Sequence, residues 1–177
     1  KMPGQDLERQ AIDLQESFTQ AMRHHVEGRL PEAANIYQHI LQSYPSHPVA
    51  LHLLGVISHQ VGKSEIAIDL ITRALANQPD YFKAHNNLGN VLRDLGKQEE
   101  ALASYQRALA IKPNYAEALS NLGNILKDLG RLDESVASYR QAITLKPDYV
   151  DAHNNLGNAL KELGDLKGAI GCYRKAL

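Results

Sequence analysis

Proline stands at positions 45, 79, 113 and 147, each 34 residues after the last. Glycine keeps the same interval at 28, 62, 96, 130 and 164, and in a second phase at 55, 89, 123 and 157. Two residue types in fixed phase mean one supersecondary unit, copied along the chain. Each copy buries its apolar face against its neighbours. Such a chain folds as a stack of like units and presents long surfaces, so binding is expected of it and catalysis is not.

Each unit divides at its first-phase glycine. In the third, AHNNLGNVLRDLG precedes KQEEALASYQRALAIKP. Ala84, Leu88, Val91, Leu92 and Leu95 recur at helical spacing in the first half, and Ala101, Leu102, Tyr105, Ala108 and Leu109 in the second. Gly96 falls where a helix C-terminus wants a left-handed residue. Pro113 stops the second helix, since it lacks an N–H and clashes with the preceding turn. Asn114, like Asp80 and Asp148 in the neighbouring units, is expected to cap the helix that follows. Gly89, Gly123 and Gly157 lie inside the first helices, where glycine costs about 1 kcal/mol against alanine. Close approach of the partner helix is the expected compensation, with Tyr105, Tyr139 and Tyr173 filling the space between.

Composition excludes several classes. Nineteen Lys and Arg against 20 Asp and Glu leave a net charge of −1, unlike the basic footprint of a nucleic-acid binder. No apolar run approaches the ~18 residues of a membrane span, and the N-terminus has no apolar signal core. Cys172 is the only cysteine, so no internal disulfide forms, and a reducing, cytoplasmic setting is expected. Lys1 ahead of Met2 reads as a vector residue before a native start. Eight histidines lack ligand spacing within any one helix, although His25, His52 and His59 could approach one another. No metal and no cofactor are expected.

A 34-residue helical hairpin with Leu-Gly in the first helix, Gly at the turn, Ala and Tyr in the second helix and Pro near its end resembles the tetratricopeptide repeat. The resemblance spans residues 14–177: four full repeats (14–47, 48–81, 82–115, 116–149) and a shortened fifth (150–177). It implies an all-α, right-handed superhelical solenoid of helix–turn–helix hairpins. There are departures: Gln20-Ala21 where others have Leu-Gly, Ile71 for the usual aromatic, and Ser135 for Ala. Residues 1–13 carry Leu7 and Ala11 in phase with Leu14 and Phe18, so the first helix is expected to extend N-terminally as a cap. The fifth repeat stops before its proline. Ile170, Tyr173 and Leu177 are therefore expected to be partly uncovered, favouring end-to-end self-association.

In tetratricopeptide arrays the first helix of each repeat lines the concave face. Asn87, Asn121 and Asn155 hold one repeat position there, and Asn90, Asn124 and Asn158 the position three residues on, which shares the same helix face. Asparagine offers two donors and one acceptor group, matching the C=O and N–H of an extended peptide. Two readings stay open: the rows grip a polypeptide, or they bridge neighbouring repeats or merely meet water. Arg93, Lys127 and Lys161 form an adjacent basic row beside Asp94, Asp128 and Glu162. They either edge the groove or merely pair in solvent. A dicarboxylate clamp of the chaperone-binding kind is spoiled by Phe18, Met22, Val56, Glu117 and Asp151, although Lys83 supplies a fragment of it.

The spelling NNLGN looks most like the superhelical repeats of O-linked N-acetylglucosamine transferases, which hold polypeptides with an asparagine ladder. The first two repeats look like the opening of bacterial proteins in which such repeats precede a glycosyltransferase domain. Two function classes follow: a protein-interaction scaffold, or the recognition arm of such an enzyme. A self-assembling scaffold is a third. Protein or peptide segments are the expected partners in each case, with no nucleic acid and no membrane.

Overall fold

The computed structural model describes residues 3–177, with side chains from residue 11 onward. Lys1, Met2 and the side chain of Leu7 lie outside the described residues. These form ten α-helices and no strand: α1 (Pro3–Val26), α2 (Leu30–Ser43), α3 (Pro48–Gln60), α4 (Ser64–Asn77), α5 (Phe82–Asp94), α6 (Gln98–Ile111), α7 (Ala116–Asp128), α8 (Leu132–Leu145), α9 (Val150–Glu162) and α10 (Leu166–Ala176). No helix among the described residues is long and apolar enough to cross a membrane. The chain divides into two compact units, Lys1–Pro79 and Asp80–Leu177.

In the first unit α1 pairs with α2 and α3 with α4, and α2 packs on α3. Its core holds Ala21, Tyr37, Ile40, Leu51, Leu54 and Ile57, with Leu14 and Phe18 of α1 packed against it. Helix α1 has 24 residues where α3 has 13. The second unit stacks α5/α6, α7/α8 and α9/α10 in the same way, α6 on α7 and α8 on α9. Tyr105 and Tyr139 are fully buried in it. Tyr173, their counterpart in α10, is only half-buried, and Ile170 is half-exposed.

The turn within each hairpin is built on its glycine. Gly28, Gly62, Gly96, Gly130 and Gly164 have φ between 74° and 85°, the left-handed region. The Gly130 N–H reaches the Lys127 carbonyl at 2.9 Å and the Arg131 N–H reaches Leu126 at 2.8 Å, a Schellman closure repeated in all five hairpins. Helices α2, α4, α6 and α8 each end two residues before a proline. Turns such as Lys146–Tyr149 follow, closed by a Tyr149 N–H bond to the Lys146 carbonyl at 3.0 Å. Proline suits the second position of such a turn.

One expectation fails here. Asp80, Asn114 and Asp148 do not cap the following helices. They belong to the turn, one residue early, and Tyr81, Tyr115 and Tyr149 stand at the N-caps without a side-chain bond. Tyr115 and Tyr149 lie close to lysine ammonium groups. The Lys112 ammonium lies 4.6 Å from the Phe82 ring centroid and 5.9 Å from that of Tyr115, and Lys146 lies 4.8 Å from Tyr149.

The glycines inside the first helices are packing sites. A Cβ on Gly123 would sit 2.6 Å from Cε1 of Tyr139, and the same holds for Gly89 against Tyr105 and Gly157 against Tyr173. At Gly55 the neighbour is Ile71, at 2.7 Å. The aromatic missing from the second repeat is thus replaced by an aliphatic group filling the same gap. Ser135, the departure in the fourth repeat, donates its hydroxyl to the Gly123 carbonyl at 2.7 Å.

Candidate peptide-binding face

All nine residues expected to line a groove belong to α5, α7 and α9, the first helices of the second unit. In that unit α5 touches α7 and α7 touches α9, whereas α6, α8 and α10 do not touch one another. The first helices therefore line the inner side of the bend. Their asparagines are half-buried. Helical spacing puts both rows on one face because positions three apart lie one above the other.

Hydrogen bonds divide the two rows. Tyr105 donates its hydroxyl to Oδ1 of Asn90 at 2.8 Å, Tyr139 to Oδ1 of Asn124 at 2.6 Å, and Tyr173 to Oδ1 of Asn158 at 2.8 Å. Each bond ties the second helix of a hairpin to the first, 15 residues apart. In the other row, Asn121 donates from Nδ2 to Oδ1 of Asn86, and Asn155 from Nδ2 to Oδ1 of Asn124, both at 3.0 Å. These are bonds between hairpins. Bridging of neighbouring repeats is therefore real, and it consumes only part of each amide. The Nδ2 groups of Asn90, Asn124 and Asn158 make no hydrogen bond among the described residues.

Asn86 escapes a reading by rows, yet it is fully buried at the centre of the network. It accepts from Asn121 and donates from Nδ2 to Oε1 of Glu117 at 3.0 Å, while Tyr115 donates to Oε2 of Glu117 at 3.2 Å. Its counterparts are Ser120 and Asn154, so no period marks it. The Asn86-Asn87 doublet was the available signal. Burial, then the charge and hydrogen bond of Glu117, push the Tyr115 phenol well above its usual range. Burial pushes Tyr105 and Tyr139 up to about 12. Those two phenols stay protonated, and stay donors, at any physiological pH.

The basic row is largely paired. Arg93 meets Asp94 at 3.4 Å, and Lys127 meets Asp128 at 3.6 Å and Glu162 at 4.0 Å. Lys161 is exposed. Exposed pairs contribute a few tenths of a kcal/mol each. The histidines disperse: His25 bonds Gln60 at 3.0 Å, His59 bonds Ser64 at 3.3 Å, and His52 is buried. Among the described residues no group of three or more His, Cys, Asp or Glu could hold a metal ion.

The "TPR repeat" family model matches residues 89–130 and 123–164, and the "Tetratricopeptide repeat" model matches residues 70–103. Together they span 70–164, just over half of the chain. No curated protein matches it. Among solved structures, a crystal structure of MamA is 24% identical with a TM-score of 0.77, covering 88% of this chain and 91% of its own. MamA from Desulfovibrio magneticus is 21% identical with a TM-score of 0.79, covering 92% of each chain. A thermophilic TPR protein from Thermus thermophilus is 24% identical with a TM-score of 0.78, covering 93% of this chain and 90% of that one. At these identities the likeness is one of fold. With the 34-residue period, the glycine turns and the tyrosine-filled hairpins, it shows that the chain belongs to the tetratricopeptide-repeat family.

Proposed function

We propose that the chain is a protein-interaction scaffold that holds extended polypeptide segments against α5, α7 and α9. One observation carries this reading: six half-exposed asparagines line the inner face, and three of their amide nitrogens make no hydrogen bond among the described residues. A half-exposed amide donor meets water in the free chain, and a repeated row of such donors can exchange that water for acceptors on a partner. Backbone groups recur along any extended peptide, which suits a binding row indifferent to side chains. Arg93, Lys127 and Lys161 flank the row. Arg93 and Lys127 are already paired with carboxylates and Lys161 is exposed, so the row gives a weak preference for acidic partners. The likeness of NNLGN to glycosyltransferase repeats rests on spelling alone. The matched family models describe repeats, so the scaffold reading is taken over that of an enzyme's recognition arm.

The test is a display selection of random peptides against the chain, followed by affinity measurement by fluorescence anisotropy. Replacing Asn87, Asn121 and Asn155 together by Ala is expected to weaken the selected peptide at least tenfold, because three bonds of ~1 kcal/mol exceed 1.4 kcal/mol. Equal binding by the variant, with its helicity retained, would rule out the row of Asn87, Asn121 and Asn155.

A further inference from the structure

We propose that Tyr105, Tyr139 and Tyr173 are positioning residues that commit the Asn90, Asn124 and Asn158 row to offering N–H donors, so that this row takes carbonyl oxygens of a bound peptide backbone. The inference rests on the scaffold reading and specifies which atoms of the peptide meet which row.

An asparagine amide is a two-ended group. Its terminal torsion is broad and roughly two-fold, so an unrestrained amide presents oxygen or nitrogen with similar ease. Here the choice is made from behind. A phenol that keeps its proton must place it on an acceptor, and the only acceptor on a neutral asparagine side chain is Oδ1. The bonds of 2.8, 2.6 and 2.8 Å place that oxygen against the second helix in three successive hairpins. The nitrogen is left without a bond to the tyrosine. Asn121 and Asn155 are committed the other way. Their nitrogens are spent on Asn86 and Asn124, which leaves their oxygens to accept. The face therefore has a donor row and an acceptor row; each edge of an extended peptide carries both C=O and N–H groups, so the donor row meets its carbonyls and the acceptor row its N–H groups. A carboxylate side chain would also satisfy the donor row.

The hairpins are not equivalent, and this supplies an internal control. Oδ1 of Asn124 accepts from both Tyr139 and Asn155, whereas Oδ1 of Asn90 and of Asn158 each accept from one tyrosine only. Tyr139→Phe leaves Asn124 held by Asn155. Tyr105→Phe and Tyr173→Phe release their asparagines. All three remove one comparable hydrogen bond from the fold. A purely structural role predicts equal losses everywhere, and a positioning role predicts unequal ones.

Two measurements test this. In the free chain, NMR relaxation of the side-chain NH2 groups should show Asn90 and Asn158 loosened by Tyr105→Phe and Tyr173→Phe, with Asn124 unchanged by Tyr139→Phe. With the selected peptide, Tyr105→Phe with Tyr173→Phe should weaken binding about fourfold, twofold for each released amide, and Tyr139→Phe should weaken it by less than either single change because Asn155 still holds Asn124. Asn90→Asp, Asn124→Asp and Asn158→Asp together keep every acceptor for the tyrosines and replace each outward donor by an acceptor. This triple variant should fold and lose at least tenfold in affinity. Reducing single backbone carbonyls of the peptide should reproduce that loss, whereas changing its acidic side chains to amides should not; the reverse pattern would assign the row to carboxylates and overturn the backbone claim. Unchanged amide order at Asn90 and Asn158, or full affinity in the Asp variant, would overturn the positioning claim. Failure of the scaffold reading looks different: the unaltered chain selects no peptide, and the NMR result stands on its own.

Discussion

Adding one methyl group to Gly123 tests why a helix interior keeps a poor helix former. On propensity alone, Gly123→Ala should stabilise the chain by about 1 kcal/mol. The structure opposes this. The new Cβ would lie 2.6 Å from Cε1, 2.8 Å from Cδ1 and 2.8 Å from Cζ of Tyr139, closer than real Cβ contacts come. The ring cannot readily give way, since it is fully buried and its hydroxyl is bonded to Asn124 at 2.6 Å. Overpacking of this kind costs about 1–3 kcal/mol, and displacing the phenol forfeits a further bond of about 1 kcal/mol. The net expectation for Gly123→Ala is a loss of about 1 kcal/mol, and for Gly123→Leu about 3 kcal/mol. Ala21, which faces the core shared with Tyr37 in the first hairpin, shows that a methyl at this register is survivable once the pair has settled around it. The assay is urea unfolding followed by circular dichroism. Combining Gly123→Leu with Tyr139→Ala should cost less than the sum of the two single changes, because each then vacates the space the other needs. A stabilised Gly123→Ala protein, or strict additivity in the double variant, would refute close approach as the reason for the glycine.

Gly130→Ala should cost about 1 kcal/mol for a different reason. Nothing lies within 4 Å of a Cβ there, but φ is +75°, which L-residues resist. Gly130→Asn should be milder, and equal stability of all three proteins in urea would remove the backbone explanation. Alkaline pH should destabilise the chain through two buried phenols. Burial raises the Tyr105 and Tyr139 phenols from near 10 in the unfolded chain to about 12, so their contribution is complete below pH 10 and is lost as pH climbs toward 12. That is on the order of 1–2 kcal/mol per phenol, read as a falling urea midpoint between about pH 9 and pH 11.5. Tyr105→Phe and Tyr139→Phe together should flatten the decline, and an unflattened profile would place its origin elsewhere.

What repeats every 34 residues was legible in the sequence alone. The hairpins, the left-handed glycines that turn them, the prolines that end them and the glycine-to-tyrosine packing all recur in phase, and a period is visible without coordinates. The sequence also told which helices carry the asparagines. It could not tell which end of each amide is spent. That depends on a phenol 15 residues away and on amides 31 to 35 residues away, brought within about 3 Å only when hairpins close and stack. Nor could it find Asn86, buried against Glu117 in a pairing that occurs once, or the serine hydroxyl that satisfies the Gly123 carbonyl. The misplaced caps have the same origin. Asp80, Asn114 and Asp148 have the right chemistry one residue too early, because the proline turn consumes them before the next helix begins. Local chemistry sets the elements. The direction of a hydrogen bond is set by whichever group the tertiary fold delivers to the other side.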